Sequence, residues 1–103
     1  EACLVGSEMC IRDRLKGLVL SSTDLNPGYS TSGHKHAGQE EVYMFVSGQG
    51  SMTLTYPDGK VSNFDVSPGD IVLIEDDVHH QVKNTDNEKQ LYFVCVFDGK
   101  RQH

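Results

Sequence analysis

Apolar and polar positions alternate along this chain in short runs, and no window shows the 3.6-residue period of an amphipathic helix. Lys16–Ser22 is a first strand candidate, followed by a turn at Asn26-Pro27-Gly28. Glu41–Ser47 is a second, broken by Gly48-Gln49-Gly50. Ser51–Tyr56 alternates as a strand with one wet face does, and Pro57-Asp58-Gly59 turns it back into Lys60–Val66. After the turn Ser67-Pro68-Gly69-Asp70 come Ile71–Ile74, His79–Asn84 and Gln90–Phe97. Many short strands punctuated by Gly and Pro predict an all-β sandwich or barrel. Glu41–Ser47 and Leu91–Phe97 are apolar on both parities. One face can line a barrel; the other needs a second layer or another subunit, since monomers seldom expose large apolar patches. A homodimer is expected on that ground.

The length of 103 residues predicts one domain with a modest core. With 37% hydrophobic and 23% charged residues, the composition is that of a folded domain. No apolar run approaches the ~18 residues of a spanning helix, and no secretory leader pattern is visible. A net charge of −6 argues against nucleic acid as a partner. Cys3, Cys10 and Cys95 form no CxxC pair, which predicts reduced thiols, a cytoplasmic location and no cysteine-based zinc site. Glu1–Arg14 has no clean period and resembles a translated sequencing-adapter read-through. The expectation is a non-native or poorly ordered segment over 1–14 and one domain over 15–103; the alternative is a genuine N-terminal strand or short helix.

The candidate chemistry lies in the histidines. His34 and His36 are two apart, so on extended chain their imidazoles share a face and can converge on one metal ion. Glu40 or Glu41 would add a hard oxygen donor, and Glu41 has the parity of Tyr43 and Phe45. His79 and His80 are adjacent and point to opposite faces, so only one of them can join the same ion.

The stretch from Gly28 to Gly48, GYSTSGHKHAGQEEVYMFVSG, resembles the first motif of the cupin superfamily at Gly28, His34, His36, Glu41 and Gly48. The stretch from Gly69 to Asn84, GDIVLIEDDVHHQVKN, resembles the second at Gly69, His80 and Asn84. Glu75 and Asp77 stand where the family usually has Pro and Gly, which changes the bend before His80 and makes it acidic.

The resemblance covers about Lys16–Phe97 and implies a small single-domain double-stranded β-helix, the jelly-roll barrel. It selects Glu41 over Glu40 and His80 over His79, and implies one divalent transition metal held by His34, His36, Glu41 and His80. Mn, Fe, Ni, Co or Zn would suit such a mixed nitrogen and oxygen set. Tyr43, two residues beyond Glu41, is the best candidate for acid–base help. Tyr29 and Tyr92 are candidates for the cavity mouth, while Gln81, Lys35 and Glu40 are expected to face away. The family usually has further strands before the segment matching Lys16–Ser22.

The function implied is a metal-dependent enzyme on a small oxygenated substrate, such as a sugar derivative or a hydroxy or keto acid. Isomerase or lyase chemistry is favoured over dioxygenase. The alternative is a non-catalytic metal-containing ligand-binding protein.

Overall fold

The structure, a computed structural model, describes residues 2–5, 8–14, 18–32 and 40–98, with side chains over 18–32 and 40–97. All regular structure among the described residues is β. The strands are β1 (Ala2–Val5), β2 (Glu8–Arg14), β3 (Leu18–Leu25), β4 (Glu41–Ser47), β5 (Gly50–Thr55), β6 (Val61–Val66), β7 (Ile71–Ile74), β8 (His79–Asn84) and β9 (Leu91–Asp98). They form a six-stranded sheet of order β1-β2-β3-β9-β4-β7 and a three-stranded sheet of order β6-β5-β8. All pairings between these strands are antiparallel.

Leu18–Ser22 of the strand candidate Lys16–Ser22 lies in β3, which runs on through Thr23-Asp24 to Leu25, while Lys16 and Gly17 lie outside the described residues. Pairing explains the extension, because β3 matches β9 residue for residue from Leu18↔Asp98 to Leu25↔Leu91. Val19, Ser21, Thr23 and Leu25 are the buried positions, a clean period of two. The stretch Glu1–Arg14 contributes β1 and β2, and β2 lies along the outer edge of β3 from Glu8↔Leu25 to Arg14↔Val19.

Register arranges the inner face of the larger sheet in rows. One row is Val19, Phe97, Glu41 and Ile74, and the next is Ser21, Cys95, Tyr43 and Val72. A third holds Thr23, Phe93 and Phe45. The smaller sheet matches them with Leu54 beside His80, Met52 beside Val82, and Gly50 beside Asn84. The interior is therefore graded along its length. Leu25, Met52, Leu91 and Asn84 are fully buried at one end. Glu41, His80, Tyr43, Ser21 and Cys95 gather polar groups at the other.

Asn84 anchors the closed end. Its side-chain amide donates to Leu25 O (2.9 Å) and Lys89 O (2.8 Å), and its Oδ1 accepts from Asp86 N (2.9 Å). These bonds satisfy a side chain that would otherwise be costly to bury. The pairing of β4 with β9 shifts register between Phe45 and Ser47. Gly48 follows that bulge with φ of +95°, a conformation L side chains rarely adopt.

The outer face of the larger sheet is apolar as the two-parity pattern predicts. Leu20, Val96, Val42 and Leu73 make one cross-strand row, and Ser22, Val94, Met44 and Ile71 the next. Leu73 is 70% and Ile71 64% exposed.

Candidate metal centre

Glu41 opens β4 on the inward parity and His80 is the second residue of β8, so the two facing sheets bring them together. Glu41 Oε1 lies 3.1 Å from His80 Nε2, with the side chains 3% and 2% exposed. His80 Nδ1 is 3.1 Å from the carbonyl of Val78. A carbonyl only accepts, so that contact places the ring proton on Nδ1 and turns Nε2 toward the carboxylate. A neutral imidazole nitrogen and a carboxylate oxygen are both acceptors, and in a dry interior they repel unless a positive charge lies near both. A proton on Nε2 would supply one, and so would a metal ion.

The donor set fits a metal. An imidazole nitrogen and a carboxylate oxygen within 3.1 Å of each other are donor types that divalent transition metals take. The bond from Nδ1 to Val78 O is also the outer contact that metal-bound histidines usually make, since it fixes tautomer and ring orientation.

Tyr43 occupies the row next to Glu41. Its ring meets the His80 ring edge-on, with centroids 5.5 Å apart at 74°, and stacks on Phe93 at 5.6 Å. His79 lies on the other parity and is half-buried, as adjacency requires. Glu40 is exposed. Tyr29 is 55% exposed, and Tyr92 lies on the outward parity of β9. Gln81 also points away from the interior, where its side-chain amide donates to Thr31 O at 2.9 Å.

His34, His36 and Lys35 lie outside the described residues. Of the four expected ligands, the structure brings Glu41 and His80 together. Among the described residues no group of three or more His, Cys, Asp or Glu side chains converges. Asp77, which stands in place of a family glycine, has φ of +64°. The bend thus keeps the backbone form that glycine takes most easily.

Sequence reasoning missed Ser21 and Thr23 as interior polar residues and Thr31 as a partner of β8. The alternation Val19, Ser21, Thr23, Leu25 was the available signal for the first two. No local pattern announces Thr31, whose contacts are 51 residues away.

Residues 21–97 match the Cupin_2 cupin domain, and the chain belongs to that family. With its two antiparallel sheets it has the cupin jelly-roll fold.

Among curated relatives it is similar to the glucose-6-phosphate isomerase of Thermococcus kodakarensis, 30% identical over 94 residues, covering 84% of this chain and 49% of that protein. It is also similar to a probable oxalate decarboxylase of Arthroderma benhamiae, 27% identical, covering 84% of this chain and 21% of the other. The chain thus spans about half the length of the isomerase relative it matches.

Among solved structures, the oxalate decarboxylase of Bacillus subtilis superposes with a TM-score of 0.87 at 20% identity, covering 99% of this chain and 28% of that one. KdgF from Halomonas sp. superposes at 0.80 with 16% identity, covering 98% and 89%. At these identities the structural likeness is one of fold. Among the described residues no helix is long and apolar enough to cross a membrane.

Proposed function

We propose that this protein is a metal-dependent enzyme of the cupin type, with one divalent transition metal held by His34, His36, Glu41 and His80. The observation that carries the reading is the buried Glu41–His80 contact of 3.1 Å, with Nδ1 already directed to Val78 O. A bound metal would act as a Lewis acid on a carbonyl or hydroxyl oxygen. Burial of Glu41 and His80 excludes water, and the Val78 carbonyl holds the imidazole in one tautomer. Tyr43, in edge contact with His80, is the group proposed to hold or move a proton at its phenolic oxygen.

The proposed substrate is small and oxygenated, a sugar derivative or a hydroxy or keto acid, with isomerase or lyase chemistry ahead of dioxygenase. The isomerase and decarboxylase relatives support that order. A cytoplasmic homodimer completes the proposal, with the row Leu20, Val96, Val42 and Leu73 covered by the same row of a second copy. A two-fold contact needs only one self-complementary patch, and the four residues of this row are all apolar.

The test is turnover by the metal-loaded full chain, assayed in parallel on glucose 6-phosphate and on oxalate. Conversion of either, reduced at least 100-fold by Tyr43→Phe, supports the assignment. Saturable binding of either compound without turnover under any of the five metals would overturn the enzyme reading in favour of a binding protein.

A further inference from the structure

β8 is an edge of the three-stranded sheet, since the order is β6-β5-β8. Its free side is taken by residues 29–31. Asn84 N donates to Tyr29 O (2.9 Å), Ser30 bridges Lys83, and Thr31 N donates to Val82 O (2.8 Å). A regular antiparallel ladder would then return Val82 N to Thr31 O. Here the partners are exchanged: Val82 N donates to Thr31 Oγ1 at 3.0 Å, and Gln81 Nε2 donates to Thr31 O at 2.9 Å. Two side-chain bonds stand where one backbone bond would, and β8 stays fastened at Gln81 and Val82.

The fastening falls at Gln81 and Val82, the two residues that follow His80. In sequence, Thr31 also precedes His34 by three residues. We infer that Thr31 and Gln81 are positioning residues for His80, locking the outer edge of β8 so that its imidazole is held against Glu41; the inference rests on the metal-site reading proposed above. Neither side chain faces the interior, so both act through the strand. Gln81 alternates with His80 across β8, which is why its parity alone made it look idle. The Val78 carbonyl fixes the ring from within the bend, and the exchange at Thr31 fixes the strand from its far side.

The experiment compares Thr31→Val, which removes the hydroxyl at constant shape, with Thr31→Ser, which keeps it, and with Gln81→Ala. Binding of Mn2+ to the full chain is followed by the paramagnetic resonance signal of the free aqua ion. In the metal-free protein, amide exchange at His80, Gln81 and Val82 is followed by NMR. Thr31→Val and Gln81→Ala are expected to weaken Mn2+ binding roughly 10- to 100-fold, the range typical of contacts that orient a metal ligand. Thr31→Ser should remain within about threefold of the parent, and exchange at Val82 should accelerate at least tenfold in Thr31→Val only.

Equal Mn2+ affinity in all four proteins overturns the inference, as does unchanged exchange at Val82 in Thr31→Val. If the parent takes up none of Mn2+, Fe2+, Co2+, Ni2+ and Zn2+, the metal reading fails. The exchange arm then decides on its own: faster exchange in Thr31→Val at Val82 that extends to His80 upholds the positioning of His80, and unchanged exchange refutes it.

Discussion

Replacing Gly48 by alanine probes the closest approach between two strands that build the interior. A Cβ at Gly48 would lie 2.4 Å from Gln90 O and 2.8 Å from Leu91 Cα, both backbone atoms at the start of β9. Backbone cannot rotate aside as a side chain can, so β9 has to move where Leu91 is fully buried. The φ of +95° adds strain of its own for any residue with a Cβ. That strain is about 1–2 kcal/mol, and forcing atoms into a packed region costs about 1–3 kcal/mol more.

The expected loss is therefore about 2–5 kcal/mol, a large fraction of the 5–15 kcal/mol that a domain possesses. Gly59 is the control, since it has φ of +92° but nothing within 4 Å of the added Cβ. Gly59→Ala should lose only the strain, about 1–2 kcal/mol. Urea unfolding followed by circular dichroism measures both, with equal slopes required for the comparison. If Gly48→Ala is no less stable than Gly59→Ala, the close packing of β4's exit against β9 is wrong.

Other outcomes follow from the same geometry. Asn84→Ala leaves Leu25 O, Lys89 O and Asp86 N without their side-chain partner in the closed end; a loss of about 3 kcal/mol is expected in thermal melting, and a loss below 1 would contradict the anchoring role. Asp77→Gly relieves positive-φ strain of about 1–2 kcal/mol and gives back about 0.4–1 kcal/mol in unfolded-chain entropy, so the melting point should rise by a few degrees; a fall would show that Asp77 has a compensating contact. Asp86 accepts from Glu88 N (2.8 Å) and Lys89 N (3.3 Å), and these bonds lower its pKa from the usual 3.8. A depressed carboxylate stabilises above its unfolded value and loses that contribution as pH falls through the folded one, so exchange at the Glu88 amide should speed up only below about pH 3.8. An acceleration beginning near neutrality would point to another group.

Strand existence and parity were legible in the sequence wherever apolar residues alternate or run together. Glu41 could be placed inward because Tyr43 and Phe45 share its parity, and His80 could be separated from His79 by motif register. The far end of β3 was not legible, because Ser22, Thr23 and Asp24 have no apolar signature and are held as strand by pairing with β9. Long-range pairing likewise hid the role of Thr31, which depends on residues 51 positions away. Asn84 could be matched to a motif but not explained. Its role as a plug follows only from its burial between Leu25 and the Asp86 turn.

The acidic bend is a related case. Glu75 and Asp77 depart from the family's proline and glycine, yet Asp77 takes the positive φ that the glycine would have. Aspartate tolerates that region better than most residues, because its short polar side chain can bond locally. The bend can therefore deliver His80 to Glu41 despite the departure.

The central claim is one metal ion on His34, His36, Glu41 and His80, and elemental analysis of the dialysed full chain tests it most directly. The parent and His79→Ala should each retain about one equivalent of a divalent transition metal, by the ligand count argued above. His34→Ala and His80→Ala should each lose it while their circular dichroism remains that of a folded β protein. Unchanged metal content in both of those variants would contradict the account.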